Sequence, residues 1–96
     1  MIGILAKFSV DTAKAAEFEA FFGALAAKVH ANEPGAKLYQ LAKSRKDAGA
    51  YTVLELYADQ AAFDHHGSTD YFKAAFPKLK DFFTAPPQLE FLDTVG

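Results

Sequence analysis

Apolar positions along this chain either alternate or recur at helical spacing, and the two periods divide it into strands and helices. Ile2–Val10 (IGILAKFSV) is short, apolar and β-branched at both ends, which predicts a strand. Asp11 or Thr12 can cap a helix, and Lys14 onward is rich in Ala, Glu and Lys. Within it Phe18, Phe21, Phe22, Leu25 and Val29 form the apolar stripe of an amphipathic helix. Glu33-Pro34-Gly35 stops that helix, because Pro34 disfavours helical geometry in Glu33 and Gly35 can take a positive φ. Two strand-like runs follow, Lys37–Ser44 and Ala50–Tyr57, joined by a polar, Gly-containing segment suited to a hairpin. Asp59 can cap a short helix holding Ala61, Ala62 and Phe63, with His65 and His66 placed after its end. Ser68-Thr69-Asp70 then opens another helix, striped by Phe72, Ala75, Phe76, Leu79 and Phe83. Pro77 predicts a kink or break inside it, and Pro86-Pro87 its end. Gln88–Val95 reads as a last strand, at an edge because prolines precede it.

The order β-α-β-β-α-β predicts an α+β class domain, the ferredoxin-like arrangement with an antiparallel sheet. Its helices cover one sheet face, so a monomer should be polar on the other. This chain is not. Ile4, Ala6 and Phe8 oppose Gly3 and Leu5; Tyr51, Val53 and Tyr57 oppose Thr52, Leu54 and Leu56. Leu38 opposes Tyr39 and Leu41, and Leu92 opposes Leu89 and Phe91. A sheet apolar on both faces needs two covers, which predicts a homodimer packed through the sheet faces.

Composition narrows the function. Ninety-six residues make one domain, 1–96. Ten basic against twelve acidic residues is too balanced for a nucleic-acid module. The absence of cysteine excludes disulfides, thiolate metal sites and cysteine nucleophiles. No apolar run approaches the ~18 residues of a membrane span, and Met1 leads straight into a strand, so a cytoplasmic protein without membrane partners is expected. Ten Phe and four Tyr are a large aromatic content for so small a core.

No phosphate loop, zinc motif or nucleophile elbow is present. The candidates are polar groups set among apolar ones. Glu55 lies in the middle of VLELY, in the strand expected to be central; a buried carboxyl has a raised pKa and can exchange protons near neutrality. The plainer alternative is a rim Glu, or one bonded across strands. His66, beside His65, can shuttle a proton or simply cap or sit on the surface. Adjacent histidines diverge, and only His30 remains besides, so no metal site is expected. Tyr39, Gln40 and Tyr51 can orient a phenolic or quinone-like ligand, or pack in an interface. Asn32 reads as a helix cap.

Glu33-Pro34-Gly35, Leu38-Tyr39-Gln40, Ser44-Arg45, the run Val53 to Asp59, Ala62, and His66-Gly67-Ser68-Thr69-Asp70-Tyr71-Phe72 together resemble the antibiotic biosynthesis monooxygenase (ABM) domain family. That family commonly has an EPG turn, an E-aromatic-x-D strand end, and a histidine followed three residues later by Ser or Thr and then an aromatic pair. The likeness spans nearly the whole chain in the same element order.

The resemblance implies a dimeric α+β barrel with a cavity between sheet and helices in each protomer. It also implies O2-dependent oxygenation of a small aromatic, phenolic or quinol substrate with no metal, flavin or haem. Carried over by position, Glu55, Tyr57, His66 and Thr69 fit the family pattern. His66 and Glu55 are then expected to handle protons, and Tyr39, Tyr51, Tyr57 and Thr69 to contact substrate. The chain has no Trp, and its first strand no Asn, so it departs from the haem-degrading relatives. The Trp of anthrone-oxidising relatives is missing too, which leaves the substrate open. Two alternatives stand: a non-oxidative isomerase of a small dicarbonyl signal, and a non-catalytic binding or stress-response protein of the same fold.

Overall fold

A computed structural model describes all residues, 1–96. The order is β1 (Ile2–Ser9), a single 3₁₀ turn (Thr12–Lys14), α1 (Ala15–Asn32), β2 (Ala36–Lys43), β3 (Ala50–Tyr57), α2 (Gln60–Ser68), α3 (Asp70–Lys80) and β4 (Gln88–Asp93). The strands form one antiparallel sheet in the order β2-β3-β1-β4, the ferredoxin-like topology. β1 and β3 are central, and β4 is an edge strand as its prolines predicted.

The caps explain where helices begin. Asp11 accepts from the Ala13 amide, but it caps the 3₁₀ turn, and α1 starts after it without a side-chain cap. Asp59 accepts from the Ala62 amide and opens α2. Thr69 ends α2 and opens α3, its hydroxyl donating to the His66 carbonyl and accepting from the Phe72 amide. Asn32 donates to the Lys28 carbonyl at the end of α1, a capping contact.

The core lies between the helices and the inner sheet face. Phe18, Phe22, Leu25 and Val29 of α1 are buried, as the stripe predicted, together with Ala6, Tyr39, Tyr51 and Val53 of the sheet and Leu79 of α3. Register puts the other set on the opposite face: Leu5 faces Leu54 across the pair β1–β3, Gly3 faces Leu56 and Leu92, and Leu38 pairs with Leu56. Leu38 and Leu92 are 43% and 41% exposed. The outer face therefore carries an uncovered apolar patch of Leu5, Leu38, Leu54, Leu56 and Leu92, bordered by Lys7, Gln40, Thr52 and Glu90.

Four local expectations are corrected. α3 runs without a break through Pro77 to Lys80. Pro77 and Lys73, whose carbonyl loses its partner, are both exposed, so water can satisfy that carbonyl. The helix ends well before Pro86. Phe83 lies beyond it and bridges Val10, with its ring stacked on Phe8. His65 and His66 belong to the last turn of α2 instead of following it. Gly35 has no positive φ; a Cβ there would stand 2.6 Å from the Ala62 Cβ, so glycine is needed for the close approach of α2 to this turn.

Candidate functional site

A cavity of about 340 Å³ opens between the inner sheet face and α1, α2 and α3. Ten of its fourteen lining residues are hydrophobic, and Phe8, Phe22, Phe63, Phe72 and Phe76 give it aromatic walls. Its ionisable lining consists of Tyr39, Glu55 and His66. Nowhere in the fold do three or more His, Asp or Glu side chains converge as a metal would require.

His66 is placed by the last turn of α2, where helical spacing turns it inward while His65 stays exposed. Its Nδ1 lies 3.0 and 3.2 Å from the two carboxylate oxygens of Glu33. A carboxylate only accepts, so Nδ1 carries the proton and Nε2 keeps its lone pair. Nε2 has no protein partner, and the ring lines the cavity, wedged among Tyr39, Tyr57 and Phe72. Burial lowers the His66 pKa, and the Glu33 charge and hydrogen bond oppose that without reversing it. At neutral pH the pair is thus a neutral imidazole hydrogen-bonded to a carboxylate, a base oriented from behind.

Glu33 is buried at the end of α1, and it also accepts a hydrogen bond from the Tyr71 hydroxyl. Burial and this carboxylate push the Tyr71 phenol up to about 12, keeping it a donor. Sequence reasoning took Glu33 as part of a helix stop and of the EPG turn, and assigned neither it nor Tyr71 a role at the site. A signal existed: an acidic residue at a helix C-terminus meets the negative end of the helix dipole, so it needs donors to hold it there.

Glu55 faces inward from β3, between Ile4 of β1 and Tyr39 of β2. Burial raises its carboxyl to about 7; the Glu33 charge adds to this, and a 2.6 Å hydrogen bond donated by the Tyr57 hydroxyl works against it. Glu55 therefore exchanges a proton near neutrality. Tyr57 is fully buried beneath Glu55 and is not part of the lining. Burial first, then Glu55, raises its pKa, so it stays protonated. Tyr39 lines the cavity, stacks on Phe22 and makes no hydrogen bond to protein through its hydroxyl. Burial, then the charges of Glu55 and Glu33, raises its pKa too, which keeps it a neutral donor.

The predicted residues thus divide. His66, Glu55 and Tyr39 meet at the cavity, and Tyr57 supports Glu55 from below. Tyr51 lies elsewhere: its hydroxyl donates to Glu19 of α1 at 2.5 Å, and its pKa is pushed up to about 12 by burial and that bond. Thr69 is spent on capping and does not line the cavity. Gln40 is exposed and turns its amide onto the Leu41 carbonyl.

The family model described as antibiotic biosynthesis monooxygenase matches residues 1–78. The chain belongs to the antibiotic biosynthesis monooxygenase family. An ABM-type structure from Caulobacter crescentus, described as a candidate antibiotic biosynthesis monooxygenase, is 53% identical with a TM-score of 0.96, covering 99% of this chain and 90% of that one. A conserved protein from Methanosarcina mazei is 25% identical with a TM-score of 0.89, covering 95% and 89%. Rv0793 from Mycobacterium tuberculosis, at 19% identity and a TM-score of 0.89 over 99% and 94%, shares the ABM fold. No curated protein matches the chain significantly. Within the ABM frame, Glu33 of the EPG turn and His66 of the histidine motif are in contact, although 33 residues separate them.

Proposed function

We propose that this protein is a cofactor-independent monooxygenase of a small aromatic, phenolic or quinol substrate, working in the cytoplasm as a homodimer joined through its sheet faces. The observation that carries the reading is the aromatic cavity whose wall holds a neutral, carboxylate-oriented imidazole beside a carboxyl that titrates near 7. A flat substrate packs against Phe22, Phe72 and Phe76. Its acidic proton passes to His66 Nε2, so the substrate O–H or C–H bond breaks and N–H forms. The imidazolium is held by Glu33, and the Tyr39 hydroxyl donates to the substrate oxyanion. The electron-rich anion then passes an electron to O2, and the radical pair combines to a peroxide anion that takes the proton back from the His66 imidazolium to give the hydroperoxide. Loss of water completes the reaction: one oxygen atom enters the product carbonyl and the other leaves as water, with all electrons supplied by the substrate.

The test is oxygen uptake by metal-stripped protein with an added quinol or anthrone. We expect O2-dependent turnover that His66→Ala lowers by roughly 10²–10⁴-fold, the range of general-base contributions. Equal uptake by His66→Ala and wild type would refute the assignment. The same acid–base pair also suits enolisation of a small dicarbonyl, which anaerobic solvent deuterium exchange would reveal. Turnover with neither class of compound would leave a binding protein. The dimer is supported by the uncovered apolar patch on the outer face, with Leu5, Leu54 and Leu56 flanked by Leu38 and Leu92. Sedimentation should give twice the chain mass, and Leu54→Asp should shift it toward the monomer. A wild-type monomer would refute the face-to-face dimer.

A further inference from the structure

The charge around the cavity is one-sided. No Lys or Arg lines it. β1 contributes Ile4, Ala6 and Phe8, β4 contributes Leu89, and α3 contributes uncharged Phe72, Phe76 and Leu79. β3 supplies Glu55, β2 the Tyr39 phenol, and α2 the His66 imidazole. Behind His66, the buried Glu33 has a neutral ring and the Tyr71 phenol as its only partners, so its negative charge has no cation against it. The Lys80 ammonium lies 5.0 Å from the ring centroid of the cavity-wall residue Phe76, but Lys80 is exposed and outside the lining.

Resting on the reading of this cavity as an aromatic site, we propose that it selects uncharged aromatic ligands and rejects those bearing a carboxylate or phosphate. A neutral phenol entering the cavity loses only its hydroxyl hydration, and the Tyr39 hydroxyl and His66 Nε2 replace it. An anionic substituent loses far more hydration and finds no cation. It also meets the field of Glu33 in a site of low dielectric. That field reaches the cavity wall: the Glu33 charge raises the pKa of Tyr39 and Glu55, both of which line it. The substrate anion formed during reaction is a separate case. It arises by giving its proton to His66, so it is born beside an imidazolium. A permanent carboxylate brings no such counter-charge. Glu55 adds a second negative charge as pH rises through about 7, so the discrimination sharpens in that direction.

Fluorescence titration with naphthol and with hydroxynaphthoate, at about pH 6 and about pH 8, tests this. We expect naphthol to bind roughly tenfold or more tightly than hydroxynaphthoate, with the gap widening at the higher pH. Glu55→Gln should abolish that widening, and Glu33→Gln should narrow the gap at about pH 8, where Glu55 is ionised in both chains. Since Glu33→Gln disturbs a buried network and can fail to fold, Glu55→Gln serves as the independent arm. Hydroxynaphthoate binding as well as naphthol, or a gap unchanged in the folded variants, overturns the charge selection while leaving the aromatic site intact. Binding of neither ligand overturns both.

Discussion

Replacing Glu55 by Gln keeps the shape of the side chain and an oxygen to accept from Tyr57, but removes the ionisation. In the folded chain this carboxyl titrates at about 7, against 4.5 ordinarily. A group whose folded pKa is raised favours the native state while protonated. That contribution is fully present below about pH 4.5 and is lost as pH climbs through about 7. At about 1.4 kcal/mol per pH unit, the gap corresponds to about 3 kcal/mol. The half-buried position of Glu55 keeps some water near it, so about 2–3 kcal/mol is the expected effect. Urea unfolding followed by circular dichroism, at fixed protein concentration, should show wild type and Glu55→Gln nearly equal at about pH 4. At about pH 8.5 the variant should be the more stable by that amount. His66, whose pKa is lowered, gains stability with rising pH, but it does so in both chains and cancels in the difference. A difference that stays constant within about 0.5 kcal/mol across this range would refute the buried-carboxyl argument.

Two other outcomes follow from the same geometry. Gly35→Ala should cost about 1–3 kcal/mol by forcing α2 away from the turn, and Ala62→Gly should recover most of it; additive losses in the thermal melts of the double variant would exclude that contact as the cause. Glu33→Gln removes a negative neighbour and should move the Glu55 titration downward from about 7; carboxyl NMR showing no movement, or an upward one, would refute the coupling.

Periodicity read the architecture well because it is a property of whole faces. The α1 stripe, the three longest strands and the edge position of β4 depend on many side chains acting together, and no single residue could overturn them. Where one residue had to decide, the reading failed. Pro77 breaks a helix only if the freed carbonyl is buried, and exposure is not written in the local sequence. Phe83 kept helical spacing by coincidence, since its neighbour Phe82 turns into the core off the end of α3. Gly35 was assigned a conformational role when its role is steric, set by Ala62 on a helix not adjacent in sequence. At the site, His66 and Glu55 stood out as polar groups amid apolar ones. Whether Glu55 points inward became clear only from the register, which pairs it with Ile4 and Tyr39. Tyr51 shares its face with Glu55 but lies four residues along, where Glu19 claims it.

The Thr69 hydroxyl makes α2 and α3 a single mechanical unit. One oxygen is fastened to the carbonyl of His66 on one side and to the amide of Phe72 on the other, and both side chains belong to the cavity wall. A ligand that presses on the Phe72 ring therefore loads the same joint that anchors the backbone of His66. How snugly the pocket is filled and how the imidazole sits on its carboxylate are read through one pivot.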